Sequence, residues 1–116
     1  MKVLGIETSC DDTAAAVYDS GDGLIGHCQA SQLDSHRPFG GVVPELAARD
    51  HVRLLMPLVR QVLVDTNLNV DDLDGVAYTS GPGLAGALLV GAALGRSLAW
   101  SLDIPVSYTH LRAHET

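Results

Sequence analysis

The stretch Val3-Leu-Gly-Ile-Glu-Thr-Ser-Cys-Asp-Asp-Thr-Ala-Ala-Ala-Val-Tyr-Asp19 constrains the fold of this chain most strongly. Two apolar runs, Val3 to Ile6 and Ala14 to Tyr18, flank a short polar segment. The pattern predicts two strands joined by a tight turn. Glu7 closes the first strand, and Thr8, Ser9, Cys10, Asp11, Asp12 and Thr13 form the turn. Unpaired N–H groups and hydroxyls of such a turn can hold phosphate oxygens. Its carboxylates can hold a hard cation such as magnesium, directly or through water. On residue types alone, an ordinary hairpin with a polar turn fits equally well.

The following segments extend this frame. Leu24 to Ala30, after the Gly21-Asp22-Gly23 turn, reads as a third strand, which gives an antiparallel meander. Ser31 to Gly41 reads as a loop, with His36 and Arg37 as possible ligand contacts or as solvated residues. Pro44 suits a helix start. From Glu45 to Asp65, apolar residues recur at helical spacing and form one broad face. Pro57 is expected to kink or divide that helix. His51 is read as a helix-surface residue. Gly75 to Thr79 is a short buried strand, parallel to the first. It runs into Ser80-Gly-Pro-Gly-Leu-Ala-Gly86 and a helix from Leu84 to Leu102. A glycine-rich turn between strand and helix is an anion site by construction, because the helix N-terminus is positive. The alternative is that Gly83 and Gly86 serve packing alone. Gly91 and Gly95 are placed to bring that helix close to the sheet. Asp103 to Val106 leads into a fifth strand. The expected fold is α/β with a mixed sheet and the order βββαβαβ, an order that resembles the actin-like ATPase (ribonuclease-H-like) N-terminal subdomain.

Composition narrows the partners. The formal net charge is −7, and Lys2 is the one lysine among seven basic residues. No basic stripe can be read off, so the segment is not expected to grip nucleic acid by itself. Cys10 and Cys28 have neither zinc nor disulfide-framework spacing, which favours a reducing compartment. No signal peptide is read at the N-terminus. The segment Leu84 to Leu102 carries Arg96 and is read as a buried helix, with no membrane partner. The chain is expected to be cytoplasmic.

Three motifs carry a family resemblance. Gly5-Ile-Glu-Thr-Ser-Cys-Asp-Asp-Thr13 resembles the opening motif of the tRNA N6-adenosine threonylcarbamoyltransferase family, formerly called O-sialoglycoprotein endopeptidase or glycoprotease. Ser31-Gln32, His36 and Phe39-Gly-Gly-Val-Val-Pro-Glu-Leu-Ala-Ala-Arg-Asp-His51 resemble its second signature. Ala77-Tyr-Thr-Ser-Gly-Pro-Gly-Leu-Ala-Gly-Ala-Leu-Leu-Val-Gly91 resembles its third. Order and spacing fit from Met1 to about Pro105, in the bacterial form.

The resemblance implies transfer of a threonylcarbamoyl group from its adenylate to the tRNA adenosine beside the anticodon. It implies Thr8, Ser9, Gly81 and Gly83 at the phosphate and substrate, and Asp11 and Asp12 as catalytic carboxylates. Asp12 stands where the family often has Glu. It implies a divalent metal (iron, zinc or magnesium) and threonylcarbamoyl-adenylate or ATP as the nucleotide. Implied partners are tRNA, a scaffold paralogue and a small ATPase. Residues 1–106 would form one half-domain of a longer enzyme and be inactive alone.

The tail, residues 107–116, departs from the family's His-His-x-x-x-His segment. His110 and His114 have a metal-ligand spacing of i, i+4, or else the tail is foreign sequence. A non-catalytic scaffold paralogue and a metalloprotease are the alternative readings. The absence of HExxH argues against the protease, and a sugar or acetate kinase would rest on fold alone.

Overall fold

The structure, a computed structural model, describes residues 1–32 and 36–110, with His110 described by its backbone. Three strands come first: β1 (Lys2–Glu7), β2 (Asp12–Asp19) and β3 (Gly23–Ser31). Helix α1 (Pro44–Asp65) follows, then β4 (Gly75–Gly81), helix α2 (Ala85–Leu102) and β5 (Val106–His110). The five strands form one sheet in the order β3-β2-β1-β4-β5. β1 pairs antiparallel with β2, and β2 with β3. β1 pairs parallel with β4, and β4 with β5. The expected order and mixed sheet are thus present.

Strand periodicity sets which side chains enter the core. Leu4 and Ile6 of β1, Ala15 and Val17 of β2, and Val76 and Tyr78 of β4 are buried on one face. Leu55, Val59, Val62 and Leu63 of α1 and Ala99 of α2 cover them and complete the same core. The other face carries Gly5, Ala14, Ala16, Ala77 and Thr79, which line a shallow hollow of about 250 Å³.

Helix α1 starts on Pro44, whose absent N–H would have had no helical partner, and carries Glu45 in its first turn. It is one helix through Pro57, so the expected division does not occur. Pro57 and Arg53 both lie on the exposed side, where water can satisfy the carbonyl that proline leaves without a donor. Both helices stop in the same way. Asn67 and Asp103 adopt left-handed conformations at φ 57° and 56°. Leu68 N–H then donates to Leu63 O at 2.9 Å, and Ile104 N–H to Ala99 O at 3.0 Å. These bonds satisfy carbonyls that the helix itself leaves open.

Helix α2 is long and apolar enough to cross a membrane by length and composition. In this fold its Ala87, Gly91, Gly95 and Ala99 are buried. A Cβ on Gly91 would lie 2.5 Å from Thr8 Oγ1, and one on Gly95 would lie 3.1 Å from Tyr78 Cδ1. A Cβ on Gly86 meets nothing nearer than Ala48 Cβ at 3.4 Å. Alanine gains about 1 kcal/mol over glycine inside a helix, while overpacking costs about 1–3 kcal/mol. Gly86→Ala is therefore expected to raise stability by up to about 1 kcal/mol. Gly91→Ala is expected to lower it, by up to about 2 kcal/mol after the helix gain is set against the overpacking. Urea denaturation of both variants checks the opposite signs.

Candidate functional site

The β1–β2 turn and the β4–α2 loop meet at one end of the sheet. β1 and β4 run parallel, so their C-terminal ends lie side by side. Leu84 N–H donates to Ser9 O at 2.8 Å and joins the two loops. Gly83 makes this approach possible, because a Cβ there would overlap the Ser9 carbonyl oxygen and lie 2.9 Å from Ser9 Cβ. Gly81 is buried and followed by a cis peptide to Pro82.

Glu7 ties the same corner together. Its Oε1 accepts from Ser9 N–H at 2.5 Å, and its Oε2 accepts from the Thr79 hydroxyl at 2.6 Å. Both carboxylate oxygens are thus engaged in shaping the turn. Thr8 points inward instead: it is buried, and its hydroxyl donates to Ala87 O at 2.8 Å in the first turn of α2. It fixes the helix N-terminus to the hairpin. The Thr8 hydroxyl therefore does not line the open side of the turn, whereas Ser9 is half-buried and its backbone meets the β4–α2 loop.

Asp11 and Asp12 are half-buried at the mouth of the turn. Asp12 Oδ2 accepts from Gln29 Nε2 at 3.2 Å, and Gln32 N–H holds the Asp11 carbonyl at 3.1 Å. A cleft of about 290 Å³ opens beside Asp11, lined also by His36, Arg37, Gly40, Gly41 and Val42. Burial pushes the Cys10 thiol pKa up, and the neighbouring Asp11 charge adds to the shift. Both effects lower the thiolate fraction, which is the nucleophilic form.

Among the described residues, no group of three or more His, Cys, Asp or Glu is gathered to hold a metal ion. A magnesium ion carried by phosphates needs only one or two protein carboxylates; Asp11 lines the cleft, while the Asp12 carboxylate bonds Gln29 on β3. The His110 side chain and all of His114 lie outside the described residues, and so does the tail from 111 to 116.

The largest departure from the sequence reading is His51. It is fully buried, not on the helix surface, and it bonds both Thr13 Oγ1 at 2.8 Å and Cys10 O at 2.7 Å. The available signal was its place in the stripe Ala47, His51, Leu55, Val59, where each step is one helical turn. Glu7 and Thr79 form a second pairing that sequence reading did not find.

The fold and this corner define the class. The chain is an α/β protein of the actin-like, ribonuclease-H-like type. It resembles YeaZ from Pseudomonas aeruginosa, with a TM-score of 0.71 and 23% identity over 94% of this chain. The chain spans 43% of that protein's length. It also resembles Thermus thermophilus RuvC, solved with a Holliday junction substrate, at a TM-score of 0.57 and 16% identity. That match covers 95% of this chain and 64% of RuvC. Residues 23–115 match the model of the TsaD family, tRNA N6-adenosine threonylcarbamoyltransferase. The chain belongs to that family.

Proposed function

We propose that this chain is the phosphate-binding half of an enzyme that moves a threonylcarbamoyl group from its adenylate to the tRNA adenosine beside the anticodon. The observation that supports this reading best is the Leu84–Ser9 tie, which joins the polar turn to a glycine-rich helix start. The first N–H groups of α2 have no partners within the helix, and they make its start attractive to anions. With the Ser9 hydroxyl they would face the phosphate of the adenylate, next to Gly81 and Gly83.

In this reading the adenosine amine attacks the carbamoyl carbonyl, and the bond to the adenylate phosphate breaks with its electron pair on phosphate oxygen. Donors fixed at the carbonyl stabilise the oxyanion, and charge accumulating on the phosphate is met by the helix start. Asp11 and Asp12 would hold a phosphate-bound divalent cation and take up the proton that the amine sheds. The cation would supply Lewis acidity and charge neutralisation. No protein nucleophile is needed in this scheme. His110 and His114 remain the proposed ligands of an iron or zinc ion.

The partners of this reading are tRNA, a scaffold paralogue and a small ATPase, in the cytoplasm. Because the chain alone would supply half of the nucleotide cleft, it is expected to bind adenylate weakly and transfer nothing. The test is threonylcarbamoyl transfer to tRNA by the purified chain, then by the chain joined to a second half-domain and its partners. Turnover by the chain alone would overturn the half-site reading. In the complete assembly, Ser9→Ala and Asp11→Asn should each lower kcat/KM by about tenfold or more, and unchanged rates would remove the site assignment.

A further inference from the structure

A line of buried polar side chains runs behind the turn. Thr13 and His51 are 0% exposed, Gln32 2% and His36 3%. Each has its partners within the line. His51 Nε2 meets Cys10 O at 2.7 Å, and His51 Nδ1 meets Thr13 Oγ1 at 2.8 Å. Gln32 Nε2 donates to Thr13 Oγ1 at 3.5 Å and to Ala47 O at 3.3 Å. Gln32 Oε1 meets His36 Nε2 at 2.9 Å, and His36 Nδ1 accepts from Val43 N–H at 3.0 Å.

The two ends fix every proton between them. The Val43 amide can only donate, so His36 Nδ1 is the acceptor and His36 Nε2 carries the hydrogen. Gln32 therefore presents its oxygen to His36 and its nitrogen to Thr13. The Thr13 hydroxyl turns its hydrogen towards His51 Nδ1, and His51 Nε2–H donates to the Cys10 carbonyl. A carbonyl can only accept, so the line closes without conflict.

Its terminus is the turn itself. Cys10 O is drawn towards His51 and Asp11 O towards Gln32 N–H. In a trans peptide the N–H points opposite to the C=O. Holding these two carbonyls thus turns the N–H groups of Asp11 and Asp12 the other way, away from His51 and Gln32.

We propose that His51, Thr13, Gln32 and His36 form a positioning relay that orients the Ser9–Asp12 turn and couples it to the loop before α1. None of the four touches substrate in this assignment. The relay's outer end, His36, lines the cleft shared with Asp11. A ligand or partner that displaces the loop at His36 to Val43 would reach the turn through the relay. The functional consequence rests on the phosphate-site reading above, whereas the relay itself does not.

The experiment uses the full chain and two readouts. The first is NMR of the uniformly nitrogen-15-labelled chain without ligand, which reports the histidine ring tautomers and the backbone amides of Cys10, Asp11 and Asp12. Both rings should show hydrogen on Nε2 and a bare Nδ1. His36→Asn keeps an acceptor for Val43 but cannot reach Gln32. It should shift or broaden the Asp11 and Asp12 amides, as should Thr13→Val, while Thr13→Ser should restore them. The second readout is magnesium-ATP affinity. His51→Phe fills the space without either hydrogen bond and should weaken binding about tenfold, the scale of lost orienting contacts, and His51→Gln, which retains a donor for Cys10 O, should recover part of it.

An Nδ1–H tautomer in the native chain, or turn amides indifferent to His36→Asn and Thr13→Val, would overturn the relay. The native tautomers decide the matter even where a variant fails to fold. If the amides respond but His51→Phe binds magnesium-ATP as the native chain does, the relay stands and its link to the nucleotide site falls.

Discussion

Gly83→Ala separates the two loops of the site and lowers nucleotide affinity by at least about tenfold. The added Cβ would meet the Ser9 carbonyl oxygen, its carbonyl carbon at 3.0 Å and Ser9 Cβ at 2.9 Å. Two of these three are backbone atoms, so no side-chain rotation relieves the contact. Gly83 does not occupy the left-handed region, so the effect is one of contact and not of backbone strain. The residue is exposed, and the loop can swing outward at the cost of the Leu84–Ser9 hydrogen bond. We therefore expect a stability loss of about 1–2 kcal/mol, below the full range for overpacking a closed core. The loss of binding should be the larger effect, because a misplacement of about 1 Å is enough to spoil such a site. Gly21→Ala, where the nearest atom is 3.8 Å away, serves as the control. Calorimetric titration with magnesium-ATP and urea denaturation of both variants measure the two effects separately. Equal affinities for the two variants would show that the loops need not touch.

Glu7→Ala is the second large effect. It leaves the Ser9 amide and the Thr79 hydroxyl without their acceptors. Hydrogen bonds to a charged group contribute about 1.5–3 kcal/mol each when buried. Glu7 is half-buried, and water can partly replace the lost carboxylate, so about 2 kcal/mol in total is the expected loss. Glu7→Gln behaves differently. Its amide oxygen can accept from Ser9 N–H while its nitrogen donates to Thr79 Oγ1. Only charge assistance is then lost, and about half the destabilisation should remain. Denaturant midpoints order the three proteins as native, Gln, Ala. If Ala and Gln were equal, the carboxylate's geometry would not matter and Glu7 would be acting through its charge alone.

Both predictions concern a corner that was half legible in advance. The hairpin, the glycine-rich helix start and the proximity of their strands follow from local pattern. Short apolar runs mark β1, β2 and β4, and Gly83 stands where a strand gives way to a helix. What was not legible is the division of labour among the polar residues. Thr8, Ser9 and Glu7 look alike as members of a polar turn. In the fold Thr8 is sealed against Ala87, Glu7 braces Ser9 and Thr79, and Ser9 remains at the loops.

His51 shows why the two levels differ. Its position in a stripe of buried residues is a local property, set by the helical repeat. Its role depends on Cys10 and Thr13, which reach it only after α1 has packed on β2. The same holds for His36, whose ring is read by Val43 on one side and by Gln32 on the other. By itself, then, the sequence determined the order of elements, the mixed sheet and the family. Those depend on periodicity, turn residues and motif spacing, which act over a few residues at a time. Only the tertiary structure decided which polar groups are sealed, which brace the turn and which stay open. Hydrogen-bond partners meet across long stretches of chain, and burial makes each unmet partner costly. No local pattern records which of them will meet.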